Sequence, residues 1–398
     1  MSKSNDNTFQ AINRRDFVKR SGYAIGAASL CSSGLYSLIK PDAAHARTDS
    51  IRLAYILSDH HAPFMLLCSD WQRFKDRYNI YLEPIAHNRI YNFYYEGERE
   101  ATINVIAARQ GPDLLRLMEQ GSVDLSITGV QAIYMSVDRC FGSKLVSPYQ
   151  SEGNAFVIRK GIDIRSWDQF VQTIKGTKNQ FTIGVPGPVT SPAIIFKDGL
   201  MDAGITFTED SFDRKADVVL MNMKGHGNVV PGMVNGITEA LVGAQPFPAT
   251  AVVQGQGHLI LNLQDLPGRK WREHACCALE AGPSIMQNNP SQLVKLLELL
   301  VLSAYEAEND TDATAIAASS WLSVDLEVEK FALPTMGFST EPTAQWLNTA
   351  YSYAKPMGEL GVLVNNLKGK HGQEIGDLAF DFSYLELAKN NLRIKGYI

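Results

Sequence analysis

Phe181-Thr-Ile-Gly-Val-Pro-Gly-Pro-Val-Thr-Ser-Pro-Ala-Ile-Ile-Phe196 is the stretch on which the reading of the fold turns. Its first five residues, Phe181 to Val185, form a β-rich run that reads as a strand. Pro186-Gly187-Pro188 ends it. Thr190 and Ser191 then offer N-caps, and Pro192 stands at the first helical position, where proline is tolerated. Ala193 to Leu200 continues as helix. A strand that becomes a helix through small and hydroxylated residues leaves backbone N–H groups unpaired, and the helix dipole adds partial positive charge there. Such a turn either seats an anion or polar head group or is an ordinary connection.

The same alternation extends in both directions. Ile51 to Leu57 reads as the first strand, Ser58-Asp59-His60-His61-Ala62-Pro63 as the loop after it, and Phe64 to Tyr78 as helix. Asn79 to Ile85 reads as a second strand and Ala86 to Glu98 as an aromatic loop carrying Tyr91, Phe93, Tyr94 and Tyr95. Between Asp113 and Gly129 a helix stops at Gly121, Asp124 precedes the strand Leu125 to Ile127, and Thr128-Gly129 opens a helix from Val130. Further strands are expected at 145–148, 155–159, 217–221, 238–242, 258–263 and 275–280, with long helices after Ser291. Strands alternating with helices predict an α/β fold with parallel sheets. Two sheets fit the length better than one, the chain entering the second near Gly153 and leaving it near Pro246.

The 398 residues are 45% hydrophobic and 20% charged, enough for two cored domains. The N-terminus is different in kind. Arg14-Arg15-Asp16-Phe17-Val18-Lys19 precedes a mildly apolar run from Tyr23 to Ile39 and an Ala44-His45-Ala46 cleavage pattern, the layout of a twin-arginine export signal over 1–46. Cys31 sits in a poor lipobox, so a soluble periplasmic protein starting near Arg47 is expected. Removing 1–46 takes away six Lys/Arg and three Asp/Glu, leaving 31 basic against 39 acidic residues and a net charge near −8. No basic stripe remains for nucleic acid. The spacing of Cys68, Cys140, Cys276 and Cys277 does not suggest a disulfide framework.

Several short patterns recur in a telling order: Gly121-x-x-Asp124 before a strand, the turn Ile183 to Ser191, Leu200-x-x-Ala-Gly-Ile205, and Gly236 to Ala240 running into Gln245-Pro-Phe247. Over Ile51 to Leu333 the chain resembles the solute-binding proteins of ABC importers, in particular the nitrate/sulfonate/bicarbonate and thiamine-pyrimidine precursor (NMT1-like) family. The resemblance implies a type II-like periplasmic binding protein fold of two α/β lobes joined by a hinge. Lobe 1 would comprise 47–152 and 247–340, lobe 2 153–246, and the tail 341–398 would pack on lobe 1. It implies a small polar or anionic solute, an inner-membrane ABC permease as partner, a monomer, and binding without catalysis. Carried over by position, the ligand contacts are Ser58, His60 and His61; Thr128, Gly129, Val130 and Gln131; Gly187, Val189, Thr190 and Ser191; and Gln245 and Phe247, with Tyr149 or Phe247 as a wall. None of these loops carries Arg or Lys, so donors rather than charge would hold an anion.

No cofactor is called for, and no G-x-S-x-G elbow or paired nucleophile and base is visible. Asp59-His60-His61, completed by His87 or His226, is a conceivable metal set; polar contact with ligand is the plainer reading. Cys276 and Cys277 read as residues of a buried strand, in keeping with the burial habit of free cysteine. A periplasmic metal-dependent enzyme and a ligand-sensing module are the alternatives to transport.

Overall fold

The computed structural model describes residues 49–398; the export-type segment and Cys31 lie outside the described residues. Alternating apolar residues make β1 (Ser50–Ile56), whose Ile51 and Leu53 are fully buried. β2 (Ile80–Ala86), β3 (Ile90–Tyr95) and β4 (Glu98–Ala108) follow as an antiparallel meander. The aromatic segment expected as a loop is therefore mostly strand. Tyr91 and Phe93 alternate inward at 0% exposure, and the ring of Tyr94 stacks on Tyr81 at 4.9 Å. Glu96 and Gly97 both take positive φ, 52° and 87°, closing β3 onto β4 with a two-residue turn that matches strand twist.

β5 (Leu125–Gly129) and β4 flank β1 in parallel, and β6 (Lys144–Glu152) completes the first half of the sheet. The chain then crosses at Gly153 into a second sheet made of β7 (Asn154–Arg159), β8 (Phe181–Val185), β9 (Phe207–Thr208), β10 (Val218–Asn222), β11 (Ala240–Ala244) and β12 (Gly257–Asn262). Its order is β12-β7-β11-β8-β10-β9. β13 (Ala275–Ala281) and β14 (Met336–Phe338) return to the first sheet, whose order is β14-β6-β13-β5-β1-β4-β3-β2. The exit expected near Pro246 thus falls later, after Asn262, because β12 still pairs antiparallel with β7.

At Gly153 the crossover requires glycine twice over. Its φ is +72°, and a Cβ there would stand 2.8 Å from Nε2 of His60. Helix Pro290–Asn309 covers the first sheet with Leu293, Leu296, Leu297 and Leu300 at three- and four-residue spacing. Each such leucine contributes about 1.5–3 kcal/mol by leaving water. Helix Ser191–Asp202 follows β8 and is buried from Ser191 to Leu200.

The tail does not rest on the first sheet alone. Trp346, Tyr353, Met357, Leu363 and Ile375 join the same core cluster as Phe156 and Phe196 of the second-sheet layer, whereas Leu385 and Leu392 join the cluster of helix Pro290–Asn309. Among the described residues no helix is long and apolar enough to cross a membrane.

Candidate functional site

The parallel strands β1 and β5 of one sheet and β8 and β11 of the other end around a single cavity. In open α/β sheets such strand ends are where ligands bind. Ser58 and His60 reach it from the turn after β1, Gly129 and Gln131 from the start of helix Val130–Asp138, and Thr190 and Ser191 from the turn after β8. His226, Cys276 and Cys277 complete much of the lining. As found, the space holds only about 20 Å³ for the centres of water-sized atoms, room for about one water. Among the described residues lining it there is no lysine or arginine.

The two halves touch directly. Ser191 Oγ donates to Gln131 Oε1 at 2.6 Å, joining the helix that leaves β8 to the helix that leaves β5. The turn after β8 and the turn after β5 thus meet through a hydrogen bond. Thr190 holds its own turn instead of capping the helix, its hydroxyl donating to the Gly187 carbonyl at 2.9 Å. Gly129 lets the Gln131 side chain fold back over it: a Cβ would lie 2.4 Å from both amide heavy atoms. Gly129→Ala is expected to dislodge Gln131 from Ser191 and to cost about 1 kcal/mol, the net worth of one hydrogen bond, read by urea denaturation. An unchanged midpoint with the bond intact in a crystal of the variant would contradict this.

Other expected contacts lie elsewhere. Tyr149 is fully buried in the first-sheet core, its hydroxyl bonded to Ser303 at 2.9 Å, so it forms no wall of this cavity. His61 is spent on the β1 backbone, its Nδ1 lying 2.7 Å from the Ile56 carbonyl, and burial holds it neutral with its pKa pushed down to about 3. Gln245 accepts from the Ala249 N–H at 3.0 Å and its carbonyl accepts from Asp59 N, so it ties the turn after β11 to the turn after β1. Phe247 stacks against His226 in a neighbouring hollow. Val130 belongs to the core, and Thr128 is buried with its hydroxyl unpartnered. Gly187 and Val189 sit in the turn but do not line the cavity; a Cβ on Gly187 would meet Gln110 Oε1 at 2.6 Å.

What the sequence did not anticipate is the company of His60. Its Nε2 lies 2.8 Å from the Gly153 carbonyl and donates there, so in the neutral ring Nδ1 carries the lone pair. That Nδ1 faces Cys276 Sγ at 3.3 Å and Cys277 Sγ at 3.7 Å. Burial works against charge on Cys276, but its contacts with Cys277, His60 and His274 outweigh burial and hold its thiol well below the usual range. The same burial together with Cys276 pushes Cys277 up. Burial also opposes a proton on His60, yet Cys276 and the Gly153 carbonyl raise it above the ordinary imidazole value. The signal available in the sequence was His274-Ala-Cys276-Cys277, two adjacent soft donors read as core.

The chain belongs to the NMT1-like family, whose pattern matches residues 44–322. Its fold is that of periplasmic binding proteins. The periplasmic nitrate-binding protein NrtA of Synechocystis PCC 6803 superposes with a TM-score of 0.67 over 87% of this chain and 90% of that one, at 11% identity. The ligand-binding component of an ABC-type import system from Staphylococcus aureus, with zinc bound, gives 0.64 over 85% and 99%, at 12% identity. The alkanesulfonate-binding protein SsuA of Xanthomonas axonopodis pv. citri, bound to MOPS, gives 0.62 over 84% and 99%, at 12% identity. An uncharacterized protein of Methanocaldococcus jannaschii is 27% identical over 104 residues, 26% of this chain and 72% of that one. The three named structures are thus of a nitrate-binding protein, the ligand-binding component of an import system and an alkanesulfonate-binding protein.

Proposed function

We propose that this chain is the solute-capturing component of an ABC importer, exported through the twin-arginine route to the periplasm, where it delivers its solute as a monomer to an inner-membrane permease. The solute is small and polar or anionic, of the size of nitrate, bicarbonate, a short sulfonate or a pyrimidine. The observation that carries this reading is the meeting of the helix N-terminus at Ser191 with the Gly129–Gln131 turn over one cavity at the strand ends. Backbone N–H groups and hydroxyls there can hold a polar head without a cation.

The test is a thermal-shift screen of the mature protein against nitrate, bicarbonate, alkanesulfonates, pyrimidines and small carboxylates, followed by calorimetry on the hit. Thr190→Ala with Ser191→Ala is expected to weaken binding about 10- to 100-fold, the worth of one or two hydrogen bonds to a desolvated polar group. Unchanged affinity in that double variant would remove the site from this cavity.

A further inference from the structure

Adjacent residues on a regular strand point to opposite faces of the sheet, so Cys276 and Cys277 should not both reach one neighbour. They do, because β13 is irregular there. Its pairing with β6 shifts between Ala275 and Cys277 and again between Cys277 and Ala278. The local β-bulge turns two successive thiols toward the same imidazole nitrogen. Bulges re-aim side chains next to functional sites, and this one gathers three donor atoms.

We propose that His60 Nδ1, Cys276 Sγ and Cys277 Sγ form a binding site for one soft metal ion of filled d shell, Zn(II) or Cu(I), at the base of the interlobe cavity. The three atoms lie within 4.8 Å of one another, and all three residues are buried. Zinc bonds of ~2.3 Å to sulfur and ~2.0 Å to nitrogen at a tetrahedral angle separate S from N by roughly 3.5 Å. The observed separations are 3.3 and 3.7 Å. The Gly153 carbonyl fixes the imidazole tautomer from behind, as backbone carbonyls commonly do for ligating histidines.

Two thiolates and one imidazole select soft ions over Mg(II), Ca(II) or Mn(II). Three protein donors leave a fourth position, on the side of the cavity. His226 lines that cavity, is 6% exposed, and its Nδ1 has no hydrogen-bond partner. It is a candidate to close a fourth bond, directly or through a water.

The experiment uses the mature protein, reduced and stripped of metal with chelator. It is titrated anaerobically with Co(II) as an optical probe, then with Zn(II), and separately with Cu(I) against a chromophoric Cu(I) chelator. The expected result is one equivalent of Co(II) giving a thiolate-to-cobalt charge-transfer band and tetrahedral d–d absorption, bleached by one equivalent of Zn(II). The Cu(I) arm decides which of the two ions is held more tightly. Cys276→Ser with Cys277→Ser is expected to abolish the band, and His60→Ala to weaken metal binding about 100-fold. Cys140→Ser, altering an exposed thiol, should keep full binding. No stoichiometric band in the wild-type protein overturns the proposal without reference to any variant. So does an unchanged titration in the doubly substituted protein. Full affinity in His60→Ala, with native circular dichroism, overturns the three-donor geometry.

Discussion

Replacing Asp138 with alanine is expected to cost about 2–4 kcal/mol of folding stability, because it strands the buried Leu367 N–H and removes three further, partly exposed hydrogen bonds. Asp138 ends the helix that begins at the cavity, and it is 2% exposed. Its carboxylate accepts from Val364 N at 3.1 Å, Asn365 N at 3.1 Å, Leu367 N at 2.8 Å and the Asn365 side chain at 3.3 Å. An unsatisfied buried donor such as Leu367 N costs about 1–3 kcal/mol, whereas the donors of Val364 and Asn365, which are exposed residues, regain water and add about 0.5 kcal/mol each. Asp138→Asn keeps one acceptor oxygen and should lose about half as much. Urea denaturation gives the stability difference, and amide exchange at Val364, Asn365 and Leu367 locates it. A loss below about 1 kcal/mol, with those amides still protected, would mean that the tail is held by its apolar contacts alone.

The second large effect is a dependence on pH. Asp59 and Glu329 are both fully buried, side by side, and none of their carboxyl oxygens has a hydrogen-bond partner of normal length. Burial pushes Glu329 up to about 7, and burial together with the neighbouring Glu329 carboxyl pushes Asp59 well above the usual carboxylate range. Two such groups without a cation share their protons and titrate as a pair. In the unfolded chain both titrate near ~4, so between roughly pH 4.5 and 7 the folded state binds more protons than the unfolded one. The stability contributed by the pair is fully present below the unfolded pKa and is lost as pH rises through the folded value. For Glu329 alone the shift corresponds to about 3 kcal/mol. Glu329→Gln removes one titrating group and gives Asp59 an amide donor. The wild type should therefore lose about 2–3 kcal/mol more than the variant between pH 5 and pH 8. Parallel stability curves for the two proteins across that range would refute the paired-carboxyl account.

Both effects involve residues whose importance is set by long-range neighbours, and this marks the limit of what local pattern reveals. β1, β5 and β8 were readable because their apolar runs end in turn residues, and the strand-to-helix turn at Val185–Ser191 was readable from proline and hydroxyl placement. The aromatic strand β3 was missed although Glu96-Gly97 offered a hairpin turn, because residues 91–95 are apolar-aromatic nearly throughout and show no alternation. The late exit from the second sheet was missed because β12 is half-buried at every position and follows a helix. At the site, donors on the β5 and β8 turns were legible from chemistry near strand ends. Tyr149 and His61 were not, since only the fold shows that Ser303 and the Ile56 backbone claim them. The pairing of Cys276 and Cys277 with one imidazole depends on a bulge, which leaves almost no trace in a single sequence.

The hydrogen bond from Ser191 to Gln131 spans a cavity that admits about one water. Its consequence lies in the order of events. A solute of several atoms cannot enter this arrangement, so opening has to precede both capture and release. The observed association rate should then rise with solute concentration only until it meets the opening rate, and level off there. Under the proposed function, the contacts that bridge the two sets of turns, Ser191 to Gln131 and Asp59 N to the Gln245 carbonyl, would together set a time scale: how long the doorway stays shut between visits.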